Sequence, residues 1–248
     1  MSKALRVLEV LADCPRGEMG ISEVARVLGW HRTTAYRFMQ TLVEEGYVQY
    51  LPAGERYRLT FKLVGLANRM VNRLDIRQVA RPHLVLLVQR WQINAHLAVL
   101  EDGEVVFIDR LECSKPLRTH FHIGRRAPAH ATAVGKVLLA DLEGEALLEI
   151  IRKRGLRRFT PLTVCEEEAL LRELDEVRVL GYAVDRGEHN HDVACVAAPV
   201  RDMTGRAVAG ISLSGSVSEI LGQDIAAMGQ SVREAAKQIS ADLGWQGS

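Results

Sequence analysis

The chain has 248 residues, 48% hydrophobic and 25% charged, with a formal net charge of +1. That balance belongs to a folded globular protein and excludes a disordered or collagen-like chain. No apolar run approaches the roughly 20 residues that cross a bilayer, and the helical pattern begins at the first residues with no leader ahead of it, so a cytoplasmic protein without a membrane partner is expected. The four cysteines, Cys14, Cys113, Cys165 and Cys195, include no Cys-x-x-Cys pair and are expected to be reduced thiols. The length leaves room for one small domain and one of ordinary size.

In chain order, Ala4, Leu5, Leu8 and Leu11 predict a helix over about 3–12 that feeds a small core. A short apolar helix follows from Ser22 to Leu28, then a tight turn at Gly29-Trp30 and an amphipathic helix from about His31 to Glu45. In this last helix Ala35, Phe38, Met39, Leu42 and Val43 form one buried stripe. Its other side presents Arg32, Thr33, Thr34, Tyr36, Arg37 and Gln40, side chains suited to phosphate oxygens and base edges. No Asp or Glu occurs from Val24 through Val43. Next come Tyr47–Leu51 and Tyr57–Leu59 around Pro52-Ala53-Gly54, which predicts a hairpin. Arg56 and Arg58 on its return arm are placed to grip a phosphate. Three helices and a hairpin within 1–60 make a winged helix-turn-helix, and the expected partner is a double-stranded DNA operator. Charge is divided accordingly: residues 1–75 carry 11 Lys+Arg against 8 Asp+Glu, and residues 76–248 carry 21 against 23. The excess is modest, so useful affinity requires paired domains on a two-fold site.

From Phe61 to about Leu74, residues Leu63, Leu66, Ala67, Met70, Val71 and Leu74 form overlapping apolar faces. The segment 61–75 is expected to be a linker helix that pairs two protomers. Beyond it the pattern is mixed. A helix over Ile76–Trp91 precedes strands at Ala95–Leu100, Val105–Leu111 and Leu117–Ile123, the last leading into Gly124-Arg-Arg-Ala-Pro128, where Gly124-Arg-Arg is a turn. Helices at Thr132–Ala140, Glu145–Lys153 and Glu166–Leu180 follow, then strands at Tyr182–Asp185, Val193–Val200 and Ala207–Ser214. A last helix is expected over about Val217–Leu243. Antiparallel strands with long helices predict an α+β sensory domain built on one sheet over 76–248.

Several stretches resemble one family. The helix-turn-helix sequence, His130-Ala-Thr-Ala-Val-Gly-Lys-Val-Leu-Leu-Ala140, Gly181-Tyr-Ala-Val-Asp-Arg-Gly-Glu-His189, Cys195-Val-Ala-Ala-Pro-Val200 and Ala209-Gly-Ile-Ser-Leu-Ser-Gly215 are similar to the IclR family of bacterial regulators, in the family's order over nearly the whole chain. The resemblance implies a winged-helix domain, a linker helix and a GAF/PAS-like effector-binding domain. It further implies a repressor or activator, dimers that pair into tetramers, and a small organic acid as effector. Carried over residue by residue, it places Ala133 and Val134 where backbone approaches a small carboxylate. Asp185, Cys195, Ser212 and Ser214 become polar pocket residues, and Thr119, Ala127 and Val193 become wall residues. Ser212 and Ser214 are two apart on a strand and share a face, and Asp185 can accept from a ligand hydroxyl. The chain departs from the family pattern at Arg186-Gly187-Glu188, where consecutive acids are common, and at Asp192, where glycine is.

Two other chemistries use the same residues. Glu188, His189, His191, Asp192 and Cys195 are metal-ligand types within a short span, and His120 and His122 share a strand face, but no Cys-x-x-Cys or His-x-x-x-His anchor accompanies them. No metal and no cofactor is expected. An enzyme needs Cys195 or Ser214 as nucleophile with His130, His189 or His191 as base, and neither a Gly-x-Ser-x-Gly elbow nor a phosphate-cradling glycine loop is present. The expectation is a regulator without catalytic residues.

Overall fold

The computed structural model describes residues 2–71, 76–113 and 123–247, except for the side chains of 67–71. The chain divides into two compact units, 1–74 and 75–248.

The first unit opens with helix α1 (Ser2–Ala12) and a two-residue strand β1 (Met19–Gly20), followed by α2 (Ile21–Leu28) and α3 (Arg32–Glu44). Strands β2 (Val48–Leu51) and β3 (Arg56–Leu59) form a hairpin around a 3-10 turn at Pro52–Gly54, and β1 adds to the far side of β3, giving the order β1-β3-β2. Helix α4 (Lys62–Val71) ends the unit. Local chemistry sets the sharp corners. The Glu23 carboxylate reaches back to accept the Gly20 N–H at 2.8 Å, closing the start of α2. Gly29, at φ +66°, takes the left-handed conformation that ends α2, and the Trp30 N–H turns back onto the Ala25 carbonyl at 2.9 Å.

Val7, Leu11, Val24, Met39, Leu42, Val48 and Tyr57 fill the small core. The expected contribution of Leu5 is corrected: it is 54% exposed, and Val7 points inward in its place. Val7 and Leu11 are four apart and therefore stacked on one face, whereas Leu5 lies to the side of that line. In α4, Leu63 is half-buried and Leu66 exposed, while the side chains of Ala67, Met70, Val71 and Leu74 lie outside the described residues.

The second unit is one antiparallel sheet covered on both faces. Its strands are β4 (Asn94–Glu101), β5 (Glu104–Leu111), β6 (Arg126–Pro128), β7 (Ala183–Asp185), β8 (Val193–Arg201) and β9 (Ala207–Ser216), in the spatial order β6-β5-β4-β9-β8-β7. Helices α6 (Ala133–Leu139), α7 (Gly144–Arg154) and α8 (Glu167–Leu180) cover one face, where Val137 of α6 and Leu170 and Leu174 of α8 share a core with Val105 and Phe107 of β5. On the other face, Leu84 of α5 (Ile76–Trp91) and Met228 of α10 (Ile225–Asp242) share a core with Leu97, Val196 and Ile211 of the sheet. The expected continuous last helix is broken. A short α9 (Val217–Leu221) is capped by Ser216, and α10 restarts after Asp224, whose carboxylate accepts the Ala227 N–H at 3.0 Å. Two capping side chains so close together specify two helix starts. The chain turns at Gly124 as expected, and the short strand β6 that follows takes in Arg126, the last residue of the expected turn; the strand expected at Leu117–Ile123 falls outside the described residues but for its last residue.

Candidate functional sites

On the first unit, Arg32, Thr33, Tyr36 and Arg37 are exposed on α3, while Thr34 and Gln40 are half-buried. His31 precedes the helix in extended backbone, and its carbonyl accepts the N–H groups of Thr34 and Ala35. The earlier amides of this first turn have no intrahelical acceptor and carry the positive end of the helix dipole. Arg32, Thr33 and Tyr36 line a groove of about 380 Å³ whose opposite wall is Tyr50 and Tyr57 of the hairpin. The two tyrosine rings lie 5.0 Å apart. Burial pushes the Tyr57 phenol above its usual range, and the neighbouring Tyr36 and Tyr50 add to the shift. Arg56 binds within the unit: Nη1 donates to the Glu18 carbonyl at 3.2 Å and lies 3.4 Å from the Glu23 carboxylate, tying β3 to the start of α2. Arg58 is exposed and forks onto Gln49 Oε1 at 3.1 and 2.9 Å.

In the second unit, the sheet register lines up Asp185, Cys195 and Ser214 across β7, β8 and β9. Ser212, two residues before Ser214, shares their face. These four side chains border a small pocket together with Ala133 and Val134 of α6 and Val193 of β8. Phe107, Thr132, His189 and Asn190 complete its wall. Ala127 is buried in the adjoining core and does not border the pocket, and Thr119 lies outside the described residues. The cavity measures only about 20 Å³, close to the room one water needs.

The chemistry of the pocket is that of neutral donors and one perturbed acid. Cys195 Sγ donates to Ser214 Oγ at 3.2 Å, and burial pushes its thiol far above the usual range, so it is not a thiolate nucleophile. Asp185 Oδ1 accepts the N–H groups of Glu188 at 2.7 Å and Gly187 at 3.0 Å. Burial is the main reason its carboxyl is raised to about 7; the Glu188 carboxylate adds to the shift, while those N–H groups and Lys136 oppose it. Burial lowers the basicity of His189, and its ring packs edge-on to Phe159 at 5.2 Å. His191 instead pairs with Asp192 in solvent at 3.2 Å, so the loop does not gather its two histidines. Among the described residues no three His, Cys, Asp or Glu side chains assemble a metal-binding group.

Beneath the pocket lies Lys136, whose side chain is 0% exposed in a helix where every residue is buried. Its Nζ is 2.6 Å from carboxylate oxygens of both Glu188 and Glu173. The Glu188 carbonyl in turn accepts from the Thr160 and Thr163 hydroxyls at 3.2 and 2.6 Å. The segment 160–163 is thus strapped over the loop that carries His189 and Asn190. Sequence reading passed over Lys136, although a lone lysine inside a continuous apolar helix demands a buried carboxylate partner.

Comparison with known proteins fits both units. The IclR helix-turn-helix domain matches residues 1–52, and the C-terminal region of bacterial IclR transcriptional regulators matches residues 68–241. The chain belongs to the IclR family of DNA-binding transcriptional regulators. It is 33% identical to the regulator XynR of Escherichia coli, covering 99% of this chain and 97% of that one. It is 34% identical to the regulator KdgR of the same organism, covering 98% and 92%. The repressor BlcR of Agobacterium tumefaciens has a similar solved structure, with a TM-score of 0.82 at 30% identity over 99% of this chain and 97% of that one. An IclR homologue of Microbacterium hydrocarbonoxydans, solved in complex with 4-hydroxybenzoate, aligns with a TM-score of 0.62 at 31% identity over 98% of each chain. This is a family of transcriptional regulators, and among the described residues no helix is long and apolar enough to cross a membrane.

Proposed function

We propose that this regulator binds its operator through α3 and the hairpin, and that a small organic acid bound in the second unit alters that binding. The row Asp185–Cys195–Ser214, with Ser212 beside it, carries the reading: the sheet register aligns these polar side chains on the border of one small pocket, which supports binding of a polar ligand there. Hydroxyl groups and the Asn190 amide supply donors for a carboxylate, and Asp185 accepts from a ligand hydroxyl or, when protonated, donates. One relative of known structure carries an aromatic hydroxy acid of this type. Because the pocket has room for about one water, an acid of several heavy atoms must bind an expanded arrangement better than the closed one. Such a difference in affinity is what shifts a protein between states, and a useful coupling is about 1–3 kcal/mol.

On the DNA side, Arg32, Thr33, Tyr36 and Arg37 are assigned to contact, with Arg58 beside them on the wing. Thr34, Gln40 and Arg56 support the surface from within. Affinity is assigned to a homodimer paired through the 61–75 segment, with half-sites about one helical turn, or a multiple of it, apart. A sedimenting monomer that still binds a palindromic operator tightly overturns that assignment. The effector reading is tested by operator anisotropy with and without a panel of small carboxylates. Ser212→Ala with Ser214→Ala should leave operator affinity unchanged and remove the response. Equal responses in wild type and double mutant refute the pocket.

A further inference from the structure

The second unit has another concave site, sharing no residue with the pocket above. It is an open cleft of about 780 Å³ between the end of α8, the β8–β9 turn, α10 and the residues up to Gly247. That is within the size range of small-molecule sites. Every ionisable side chain that lines it is a cation: Arg178, Arg201, Arg233 and Lys237.

Two of these charges are compensated from behind, Arg178 by Asp175 and Arg201 by Asp141. Among the described residues no carboxylate pairs with Arg233 or Lys237. These two are one turn apart on α10 and therefore project from the same side of the helix. The guanidinium groups are also held in place by backbone. Arg233 donates to the Leu180 carbonyl at 3.0 Å, Arg178 to the Ala140 carbonyl at 2.8 Å, and Arg201 to the Gly205 carbonyl at 2.6 Å. A planar fork fixed in this way loses little freedom when it meets an oxyanion. Trp245 provides an apolar wall, and its backbone N–H donates to the Ser240 carbonyl at 2.9 Å, which fastens the terminal segment to the end of α10.

We propose that this cleft is a second ligand site, which takes a small oxyanion with an apolar body, its head on Arg233 and Lys237 and its body against Trp245. Two uncompensated cations, prepaid orientation and an apolar wall are what an amphipathic anion requires. A phosphate and a carboxylate share this head-group chemistry, so the probes must separate them.

The test titrates the full-length protein with phenyl phosphate and with benzoate, reading tryptophan fluorescence at constant ionic strength. Saturable quenching by phenyl phosphate alone identifies a phosphate site, and quenching by benzoate as well identifies a general oxyanion site. Lys237→Glu, an exposed position with no partner to lose, should weaken the probe about tenfold or more. Arg233→Met should do the same, Trp245→Phe should remove the signal, and Ser214→Ala, which alters the other pocket, should leave this quenching as it is in the wild type. No saturable response to either probe overturns the proposal. So does a response that survives Lys237→Glu and Arg233→Met, or one that Ser214→Ala abolishes, because the probe then occupies the other pocket.

Discussion

Replacing Lys136 with Met is the sharpest test of how the effector pocket is held. Methionine matches the length of the lysine stem and suits the apolar surroundings, so the change removes charge and leaves packing nearly intact. The two carboxylates respond differently. Glu173 is 28% exposed and relaxes toward water, where an ion pair of this kind is worth about 0–1 kcal/mol. Glu188 is 7% exposed, with its backbone pinned by Thr160, Thr163 and Asp185, and has no such escape. Breaking a buried pair in this way costs about 3–5 kcal/mol.

That loss should depend on pH. Burial already raises the Glu188 carboxyl and Lys136 opposes the shift, so removing the lysine raises it further. A carboxyl raised in the folded state remains neutral while its unfolded counterpart ionises near pH 4, so the deficit opens as pH climbs above that point. Urea unfolding at pH 5 and pH 8 should therefore show a small loss at the first and most of it at the second. Lys136→Met with Glu188→Gln should recover most of the stability, since the carboxylate left buried without its lysine is then gone. A loss below about 1 kcal/mol at pH 8, or single-mutant costs that simply add in the double mutant, refutes the reasoning.

The remaining predictions address the pocket acid, the DNA surface and a close approach. Asp185, raised to about 7 mainly by burial, costs stability increasingly from about pH 4 to pH 7 and by a constant amount above. The stability of Asp185→Asn relative to wild type should therefore rise across that window and then level, and a pH-independent difference contradicts it. Arg37→Ala should weaken binding to all DNA sequences and lower the salt slope by about one, whereas Arg32→Ala should cost about 1–3 kcal/mol with altered sequence preference. Unchanged operator affinity in both variants removes this placement of α3. A Cβ at Gly135 would lie 2.2 Å from the Ala129 carbonyl oxygen and 2.4 Å from its Cα, both backbone atoms that cannot swing aside. Gly135→Ala should lower stability by about 1–3 kcal/mol or more, and a wild-type melting temperature contradicts that close approach.

What was legible in the sequence is what short-range chemistry dictates. Gly29 and the Ala35–Met39–Leu42 spacing announce the helix-turn-helix because turn geometry and helical period are local properties. Facing is less local: Leu5 and Val7 are both apolar in α1, and only the position of the neighbouring helices decides which is buried. The break at Gly222 was readable in principle, since Ser216 and Asp224 are both capping types, but the apolar period runs through it and hides the restart. The pocket is the least local feature. Asp185, Cys195 and Ser214 are neighbours because three antiparallel strands share one register, and a one-residue slip of β8 would turn Cys195 to the opposite face. Family resemblance supplied that set of residues, whereas nothing in their spacing did. Lys136 lies between these cases. Its burial was implied by the apolar run around it, but its partners, 37 and 52 residues away, become visible only when α6, α8 and the 186–192 loop are packed together. The charge that holds the pocket loop is therefore outside the pocket, and a search of the sequence for ligand-binding residue types alone passes over it.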